Sequence, residues 1–147
     1  MKTRVIVHPT DFSPASRAAF ARAMTQARAD GAELLLVHVL SSATPLLGDE
    51  YTPPQVYADI RESMRTEAQN QLDKLVAKAK GGGARVRGLL LEGSAADAIV
   101  RTARSKRADV IVMGTHGRTG FARLLMGSVA ERVVGTAPCP VLTVRGK

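Results

Sequence analysis

The chain alternates short apolar runs with segments that carry helix signals. The apolar runs are RVIVH at residues 4–8, AELLLVHVL at 32–40, ARVRGLLLEG at 84–93, ADVIVMG at 108–114 and VLTV at 141–144. Strands that alternate with helices predict a parallel sheet with helices on both faces, because a helix normally carries the chain back between parallel strands. The 147 residues are close to the usual size of one domain, and we expect a single domain over residues 1–147.

Capping residues and glycines mark the limits of the predicted helices. Ser13 followed by Pro14 predicts the start of the first helix, and Gly31 predicts its end. Ser94 and Ser128 are each followed three residues later by an acidic residue, which is the spacing of a capping box. We therefore expect the third and fourth helices to begin at these two serines.

The second predicted helix carries one apolar stripe. Its members recur at steps of three and four residues: Val56, Ile60, Met64, Ala68, Leu72, Leu75, Val76 and Ala79. This period places them on one helix face, and we expect the whole face to pack against the core. The GGG sequence at residues 81–83 ends the helix.

The sequence carries no sign of export or of a membrane span. Its apolar runs are far shorter than the roughly 18 residues of a transmembrane helix, and the N-terminal segment lacks a signal-peptide core. The single cysteine, Cys139, excludes a disulfide within the chain and is expected to act as a small apolar residue between two prolines. We expect a soluble, cytoplasmic protein.

Basic residues are concentrated in the second half of the sequence. Residues 1–82 hold 10 basic and 9 acidic side chains, whereas residues 83–147 hold 11 basic and 4 acidic ones. A positive field favours an anionic partner such as a nucleotide or a nucleic acid, although the same charge also serves solubility. The basic run RTARSKR at residues 101–107 is expected to be the solvated end of a helix.

The sequence GTHGRTGFARLLMGS, residues 114–128, joins a predicted strand to a predicted helix. Its glycines let backbone N–H groups approach a phosphate closely, and we expect several of them to adopt positive φ. The first turn of the helix adds more N–H groups and a partial positive charge. Arg118 and Arg123 can pair with phosphate oxygens. The alternative interpretation is that these glycines only form the turn after the strand.

Other phosphate and nucleotide motifs are absent from the sequence. It contains neither GxxxxGK[ST] nor, after the first strand, GxGxxG, and it lacks the HxGH and SGGxDS motifs of adenylyl transfer. Parallel sheets bind ligands beyond the carboxyl ends of their strands, where the strand order reverses. The HPTD sequence at residues 8–11 and the glycine-rich loop are therefore expected to face each other, provided that the first and fourth strands are neighbours.

Three separated motifs occur in an order typical of one known family. Gly114, Gly117, Gly127 and Ser128 have the spacing G-x-x-G, nine residues, G-S. The sequence VHPTDFSPAS precedes them near the N-terminus, and GSVAERVVGTAPCPVLTV closes the chain. Together, these motifs resemble the ATP-binding branch of the universal stress protein family.

The resemblance implies an α/β fold of the Rossmann-like, adenine nucleotide alpha hydrolase-like type. It is a three-layer sandwich around a five-stranded parallel sheet in the order 3-2-1-4-5. The implied ligand is ATP, or AMP or ADP, with Mg²⁺ or Mn²⁺ bridging the phosphates. The residues that the resemblance places around it are Pro9, Thr10, Asp11, Val39, Met113, Gly114, His116, Gly117, Gly127, Ser128 and Val129. It assigns no catalytic residue and no metal ligand from the protein.

The resemblance also implies a homodimer. The last strand, with Val141, Leu142, Thr143 and Val144, would lie at a sheet edge, where its unpaired backbone can pair with a second copy of the chain.

Several of these side chains have alternative roles. Asp11 either contacts the ligand or only forms a turn before the first helix. Ser128 either donates to phosphate or caps its own helix. His116 either donates to phosphate or is a solvated loop residue. We expect His8 and His38 to line the core or the crevice, because no spacing resembles a metal site.

The function expected from the sequence is a nucleotide-responsive stress or signalling module. An ATP-using enzyme is the alternative, with Asp11, His116 and the loop arginines as candidate groups. None of these forms an evident pair, so we expect slow hydrolysis at most. A nucleic-acid binder is the third hypothesis and the least favoured, because the five aromatic residues do not interleave with the basic ones. No membrane partner is expected.

Overall fold

The computed structural model describes residues 2–41, 53–116 and 126–146. The strands in these residues are β1 (Val5–Pro9), β2 (Glu33–Leu40), β3 (Arg85–Glu92), β4 (Val110–Gly114) and β5 (Val141–Val144). The helices that alternate with them are α1 (Pro14–Asp30), α2 (Pro54–Gly81), α3 (Ala95–Ser105) and α4 (Ser128–Thr136). Every predicted strand and helix is present, with limits within about two residues of the predicted ones.

The strands form one parallel sheet in the order β3-β2-β1-β4-β5. Strands β1 and β4 are direct neighbours, with Ile6 paired to Val110 and Val7 to Ile111. The predicted fold class and strand order are confirmed. The carboxyl ends of β1 and β4 therefore lie side by side, at the point where the strand order reverses.

Separate apolar cores cover the two faces of the sheet. In β2, Leu34 and Leu36 pack with α1 and α2, whereas Leu35 and Val37 pack with α3 and α4. All four side chains are fully buried. Burial on both faces explains why β2 is a continuous apolar run rather than an alternating one.

The limits of α1 follow its sequence signals. Ser13 is the N-cap, and its hydroxyl oxygen accepts a hydrogen bond of 3.2 Å from the Ser16 N–H. Pro14 is the first helical residue, where its missing N–H costs nothing. The helix ends at Gly31, whose φ of 65° lies in the left-handed region that favours glycine.

The apolar stripe of α2 is only partly buried, which corrects the prediction for its first half. Ala68, Leu72 and Ala79 are buried, but Val56 and Met64 are 41% and 55% exposed. The reason is length, because the 28 residues of α2 span about 42 Å. The eight residues of β2 or β3 span only about 26 Å. No helix in the described ranges is long and apolar enough to cross a membrane.

Ser94 is the N-cap of α3, as predicted, but the capping box does not form. Its side chain makes no capping hydrogen bond. Asp97 instead lies 3.1 Å from the guanidinium of Arg132, and both side chains are more than half exposed. This ion pair links α3 to α4 and contributes little to stability.

Candidate functional site

A cleft lies at the carboxyl ends of β1, β2 and β4, between the first turns of α3 and α4. Its volume is about 180 Å³. The predicted binding residues that line it are Pro9, Thr10, Asp11, Val39, Met113, Gly114, His116, Gly127, Ser128 and Val129. One other predicted residue, Gly117, lies outside the described residues. Segments far apart in the sequence thus meet where parallel sheets bind their ligands.

The first wall of the cleft, residues 9–16, is a turn held by its own side chains. The Phe12 N–H and the Ser16 hydroxyl each donate to the hydroxyl oxygen of Thr10, both at 3.0 Å. The Ser13 N–H donates to Oδ1 of Asp11 at 2.9 Å. Phe12 has a φ of 64°, a left-handed conformation that is strained for an aromatic residue. The surrounding hydrogen bonds stabilise this strained turn.

Asp11 combines the two roles considered from the sequence. One carboxylate oxygen accepts the Ser13 N–H, so the residue forms the turn that precedes α1. The residue also lines the cleft and is partly exposed there. The turn role is an observed contact, whereas contact with a ligand stays a prediction.

His38 of β2 supports the first wall from the side. Its Nδ1 lies 2.7 Å from the backbone oxygen of Thr10, and a carbonyl oxygen only accepts, so we assign the proton to Nδ1. In the neutral imidazole, Nε2 is then an acceptor. The ring packs on Phe12 with centroids 4.6 Å apart. His38 therefore lines the cleft, as expected, and its contacts with Thr10 and Phe12 also stabilise the turn of the first wall.

The second wall consists of residues 113–116 and 126–130. The Gly127 N–H donates to the backbone oxygen of Thr115, and the Thr115 N–H donates to that of Val144 at 3.0 Å. The Thr115 hydroxyl lies 2.9 Å from Nδ1 of His116. These bonds join the two ends of the glycine-rich loop at β4 and β5. The loop residues Arg118 and Arg123 are outside the described ranges.

Gly114 of the second wall has a packing role that was not predicted. Neither Gly114 nor Gly127 has positive φ, and the other two loop glycines, Gly117 and Gly120, lie outside the described residues. A Cβ at Gly114 would lie only 3.0 Å from the carbonyl carbon of Ala15, so one of the two segments would have to shift. The missing side chain lets the start of α1 lie against the end of β4. It thereby brings the two walls together.

The start of α4 differs from the predicted capping box. Gly127, which has no side chain to cap the helix, is the N-cap, and Ser128 is the first helical residue. The physical reason is that the Gly127 carbonyl already accepts the first helical bond, from the Glu131 N–H at 3.0 Å. The N–H groups of Ser128, Val129 and Ala130 have no acceptor within the helix. All three residues line the cleft, so an electropositive helix start faces it.

His8 connects the strands beneath the two walls. It is fully buried, and its Nδ1 lies 2.8 Å from the backbone oxygen of Val112 in β4. Burial lowers the pKa of His8 from 6.5 to about 4, against smaller raising effects of the Val112 hydrogen bond and of Asp11. The imidazole is therefore neutral at pH 7, which fits the expectation of a core histidine.

Six lining residues were not predicted from the sequence. They are Ser16, Val37, Ala95, Ile99, Thr115 and Ala130. Val37 and Thr115 adjoin predicted residues at strand ends, so extending each strand-end segment by one or two positions would have found them. The other four lie in the first or second turns of helices. Only the packing of those helices on the sheet brings them to the cleft.

Comparisons with known proteins agree with this arrangement. The family model of the universal stress protein family matches residues 2–145. The universal stress protein MJ0531 of Methanocaldococcus jannaschii is 40% identical over 141 residues, which cover 95% of this chain and 81% of the relative. The structure of UspA from Lactobacillus plantarum matches with a TM-score of 0.85 and 26% identity, over 99% of both chains.

Two other similar structures are complexes with nucleotides. A universal stress protein from Archaeoglobus fulgidus in complex with dAMP has 27% identity and a TM-score of 0.67, covering 98% of this chain and 99% of that one. A universal stress protein in complex with cAMP has 26% identity and a TM-score of 0.69, covering 100% of both chains. From the family match, the sequence identity and the shared fold, we conclude that the chain belongs to the universal stress protein family.

Proposed function

We propose that the cleft binds an adenine nucleotide and that the chain belongs to the ATP-binding branch of its family. The observation that carries this proposal is the start of α4, where Ser128, Val129 and Ala130 line the cleft and the N-cap, Gly127, has no side chain to cap the helix. Such a helix start favours phosphate. The complexes of two relatives with dAMP and with cAMP support an adenine base at the other end of the cleft.

In the proposed complex, each wall contacts a different part of the nucleotide. The phosphates bind at Gly127, Ser128 and Val129, where the Ser128 hydroxyl adds a donor to the backbone N–H groups. Adenine and ribose lie toward the ends of β1 and β2. The residues proposed there are Pro9, Thr10, Asp11 and Val39, with Met113, Gly114, His116 and Gly117 beside the ribose and phosphates.

We propose Mg²⁺ or Mn²⁺ as the counter-ion of the phosphates when the ligand is ATP. Among the residues that the structure describes, no group of three or more His, Cys, Asp or Glu side chains is arranged to hold a metal. The ion would therefore take its ligands mainly from phosphate oxygens and water, as Mg²⁺ commonly does. Chelation with EDTA should then weaken binding of ATP much more than binding of AMP.

We infer that the nucleotide acts as a signal rather than as a substrate. Asp11 is already bonded to the turn, and Nδ1 of His116 lies beside the Thr115 hydroxyl. Neither arrangement supplies a group dedicated to orienting a water for attack on phosphate. We expect ATP hydrolysis to be slow at most. A turnover of several per second that is lost in Asp11→Asn would instead support an ATPase.

We also propose a homodimer through β5. This strand pairs with β4 on one side and ends the sheet, and Val141, Leu142, Thr143 and Val144 are each half-buried in the single chain. A second copy can complete the exposed backbone edge. Analytical ultracentrifugation with and without ATP tests both the dimer and its response to nucleotide.

Calorimetry on protein purified without added nucleotide tests the proposal. We expect saturable heat with ATP, AMP or cAMP and much less with GTP, and loss of that heat in the double variant Gly117→Val/Gly127→Val. Gly135→Ala is the matched control, because a Cβ at this glycine of α4 meets nothing within 4 Å. No heat with any adenine nucleotide at millimolar concentration would refute the proposal. Chromatography of material released by denaturation identifies a nucleotide that co-purifies.

A further inference from the structure

A second cavity lies between the first turns of α1 and the C-terminal half of α2. We call it the α1–α2 pocket, and its volume is about 190 Å³. The residues that line it are Thr10, Phe12, Ser16, Arg17, Phe20, Gln71, Lys74, Leu75 and Lys78. It has no role in the function proposed above, and its cations lie in the half of the sequence with little net charge.

The apolar part of the pocket is aromatic. Phe12 and Phe20 each place a ring on it, and Leu75 adds an aliphatic side chain from α2. Phe20 is only 7% exposed, so its ring belongs to the core and forms a fixed surface. Nζ of Lys78 lies 5.9 Å from the centre of the same ring. This surface therefore combines a π face with a positive charge.

Three cationic side chains also line the pocket. Arg17 comes from α1, and Lys74 and Lys78 come from successive turns of α2. The ion pairs between described residues use other cations. The acidic neighbours on α2, Glu67 and Asp73, accept hydrogen bonds from glutamine side chains instead. The pocket thus presents positive charge that these carboxylates do not pair.

We propose that the α1–α2 pocket binds a small anion that carries one aromatic ring, of the class of aromatic carboxylates. Size supports a single ring, because a cavity of about 150 Å³ accommodates benzene. The ring would pack on Phe12 and Phe20, and the carboxylate would lie among Arg17, Lys74 and Lys78. Charge-assisted hydrogen bonds from these cations favour a carboxylate over a neutral group.

The pocket adjoins the cleft, so a test must distinguish the two. Thr10 and Ser16 line both cavities, and their hydroxyl groups are hydrogen-bonded to each other at 3.0 Å. A probe that entered the cleft instead would contact the start of α4. Backbone amide shifts therefore report which cavity is occupied, with Arg17, Phe20 and Leu75 for the pocket and with Ser128 and Val129 for the cleft.

The experiment is an NMR titration of the nucleotide-free protein with benzoate, benzamide and inorganic phosphate. We expect benzoate to bind saturably and to shift the amides of the pocket. The neutral benzamide should bind about 10-fold more weakly, because it lacks the charge, and phosphate should bind more weakly because it lacks the ring. Since no nucleotide is present, this result is independent of the function proposed for the cleft.

Lysine variants test which side chains supply the positive charge for benzoate binding. The double variant Lys74→Ala/Lys78→Ala should bind benzoate about 10-fold more weakly. The matched control is Lys80→Ala. Lys80 is an exposed lysine of the same helix that does not line the pocket, so its loss should leave benzoate binding unchanged. All three lysines are exposed, and unchanged thermal unfolding verifies that the variants fold.

Several results would overturn the proposal. These are no saturable benzoate binding, equal binding of benzoate and benzamide, phosphate binding as tightly as benzoate, or shifts confined to Ser128 and Val129. Full benzoate affinity in the double lysine variant would overturn it as well.

Discussion

The two walls of the cleft each lead into a helix, but the backbone N–H groups at the two helix starts differ in their hydrogen bonding. At α1, Ser13 accepts the Ser16 N–H and Pro14 removes a donor. At α4, the N-cap is Gly127, which has no side chain to accept a bond, and Ser128 is already the first helical residue. One helix start is closed by the chain itself, whereas the other presents its N–H groups to the cleft.

A capped helix start favours stability of the fold, whereas an uncapped one favours binding of an anion. A capped start stabilises its helix by about 1 kcal/mol and leaves fewer donors for a ligand. An uncapped start loses that stabilisation but keeps the donors and the partial positive charge that an anion requires. The start of α1 is therefore expected to contribute to stability, and the start of α4 is expected to contribute to phosphate affinity.

The largest effect is expected when the uncapped helix start of α4 is capped. Gly127 has φ −70° and ψ 159°, which suit a capping aspartate, so Gly127→Asp should preserve or raise stability. Its carboxylate would occupy the phosphate position and repel the ligand. Because like charges in contact cost several kcal/mol, we expect ATP affinity to fall at least about 100-fold. Calorimetry and thermal unfolding measure the two effects.

Gly135→Asp is the control for this change, since it adds the same charge near the other end of α4. It should leave nucleotide affinity nearly unchanged. If Gly127→Asp bound ATP as the parent protein does, α4 would not be the phosphate site.

The pH dependence of stability probes His8, which connects the strands beneath both walls. Its folded pKa of about 4 is below the unfolded value of 6.5, so only the unfolded chain takes up this proton between these values. The contribution of His8 to the free energy of unfolding is therefore constant above about pH 6.5. As the pH falls from about 6.5 to about 4, the free energy of unfolding decreases by about 3 kcal/mol. Urea unfolding across this range in the parent protein and in His8→Gln measures the contribution.

Other groups titrate equally in both proteins, so the difference between their pH profiles isolates the imidazole. Parallel pH profiles would show that His8 does not cause the loss of stability at low pH.

Ser128→Ala tests whether the hydroxyl at the start of α4 serves phosphate binding or helix capping. Ser128 is the first helical residue and not the N-cap, so removal of its hydroxyl should leave the thermal midpoint unchanged. Loss of one hydrogen bond to a charged phosphate should weaken ATP binding about 10-fold. A lower midpoint with unchanged affinity would mean that this serine acts as a helix cap after all.

Ser13→Ala is the reciprocal change at the capped helix start, with the smallest expected effect. It removes the side chain that accepts the Ser16 N–H and should reduce the free energy of unfolding by about 1 kcal/mol. Nucleotide affinity should stay the same, since Ser13 does not line the cleft. Urea unfolding and calorimetry on the same sample test both statements. A large loss of affinity would show that the cap at Ser13 also positions the residues of the first wall that contact the ligand.

The sequence predicted well those features that depend on local patterns. The limits of α1 follow from Ser13, Pro14 and Gly31, and β2 is identifiable as a strand buried on both faces. The motifs that carry the family resemblance were enough to predict ten residues that line the cleft. Helix limits and strand burial depend on neighbours in the chain, whereas the ten lining residues follow from the resemblance.

The sequence predicted poorly what depends on distances between elements. The apolar stripe of α2 gives no indication that the helix is longer than the strands, so the exposure of Val56 and Met64 was missed. Ser128 fits a capping box by spacing, but the position of Gly127 against Thr115 moves the cap by one residue.

Periodicity, caps and motif spacing were enough to predict the alternation of strands and helices, the family resemblance and the segments that form the cleft. The three-dimensional arrangement was needed to show that Gly114 leaves room for α1 and that Gly127, with no side chain, is the N-cap of α4. It also decided that Phe12, Phe20 and three cations share a second pocket. The physical reason is that steric fit and hydrogen bonding between distant segments depend on where the sheet places them.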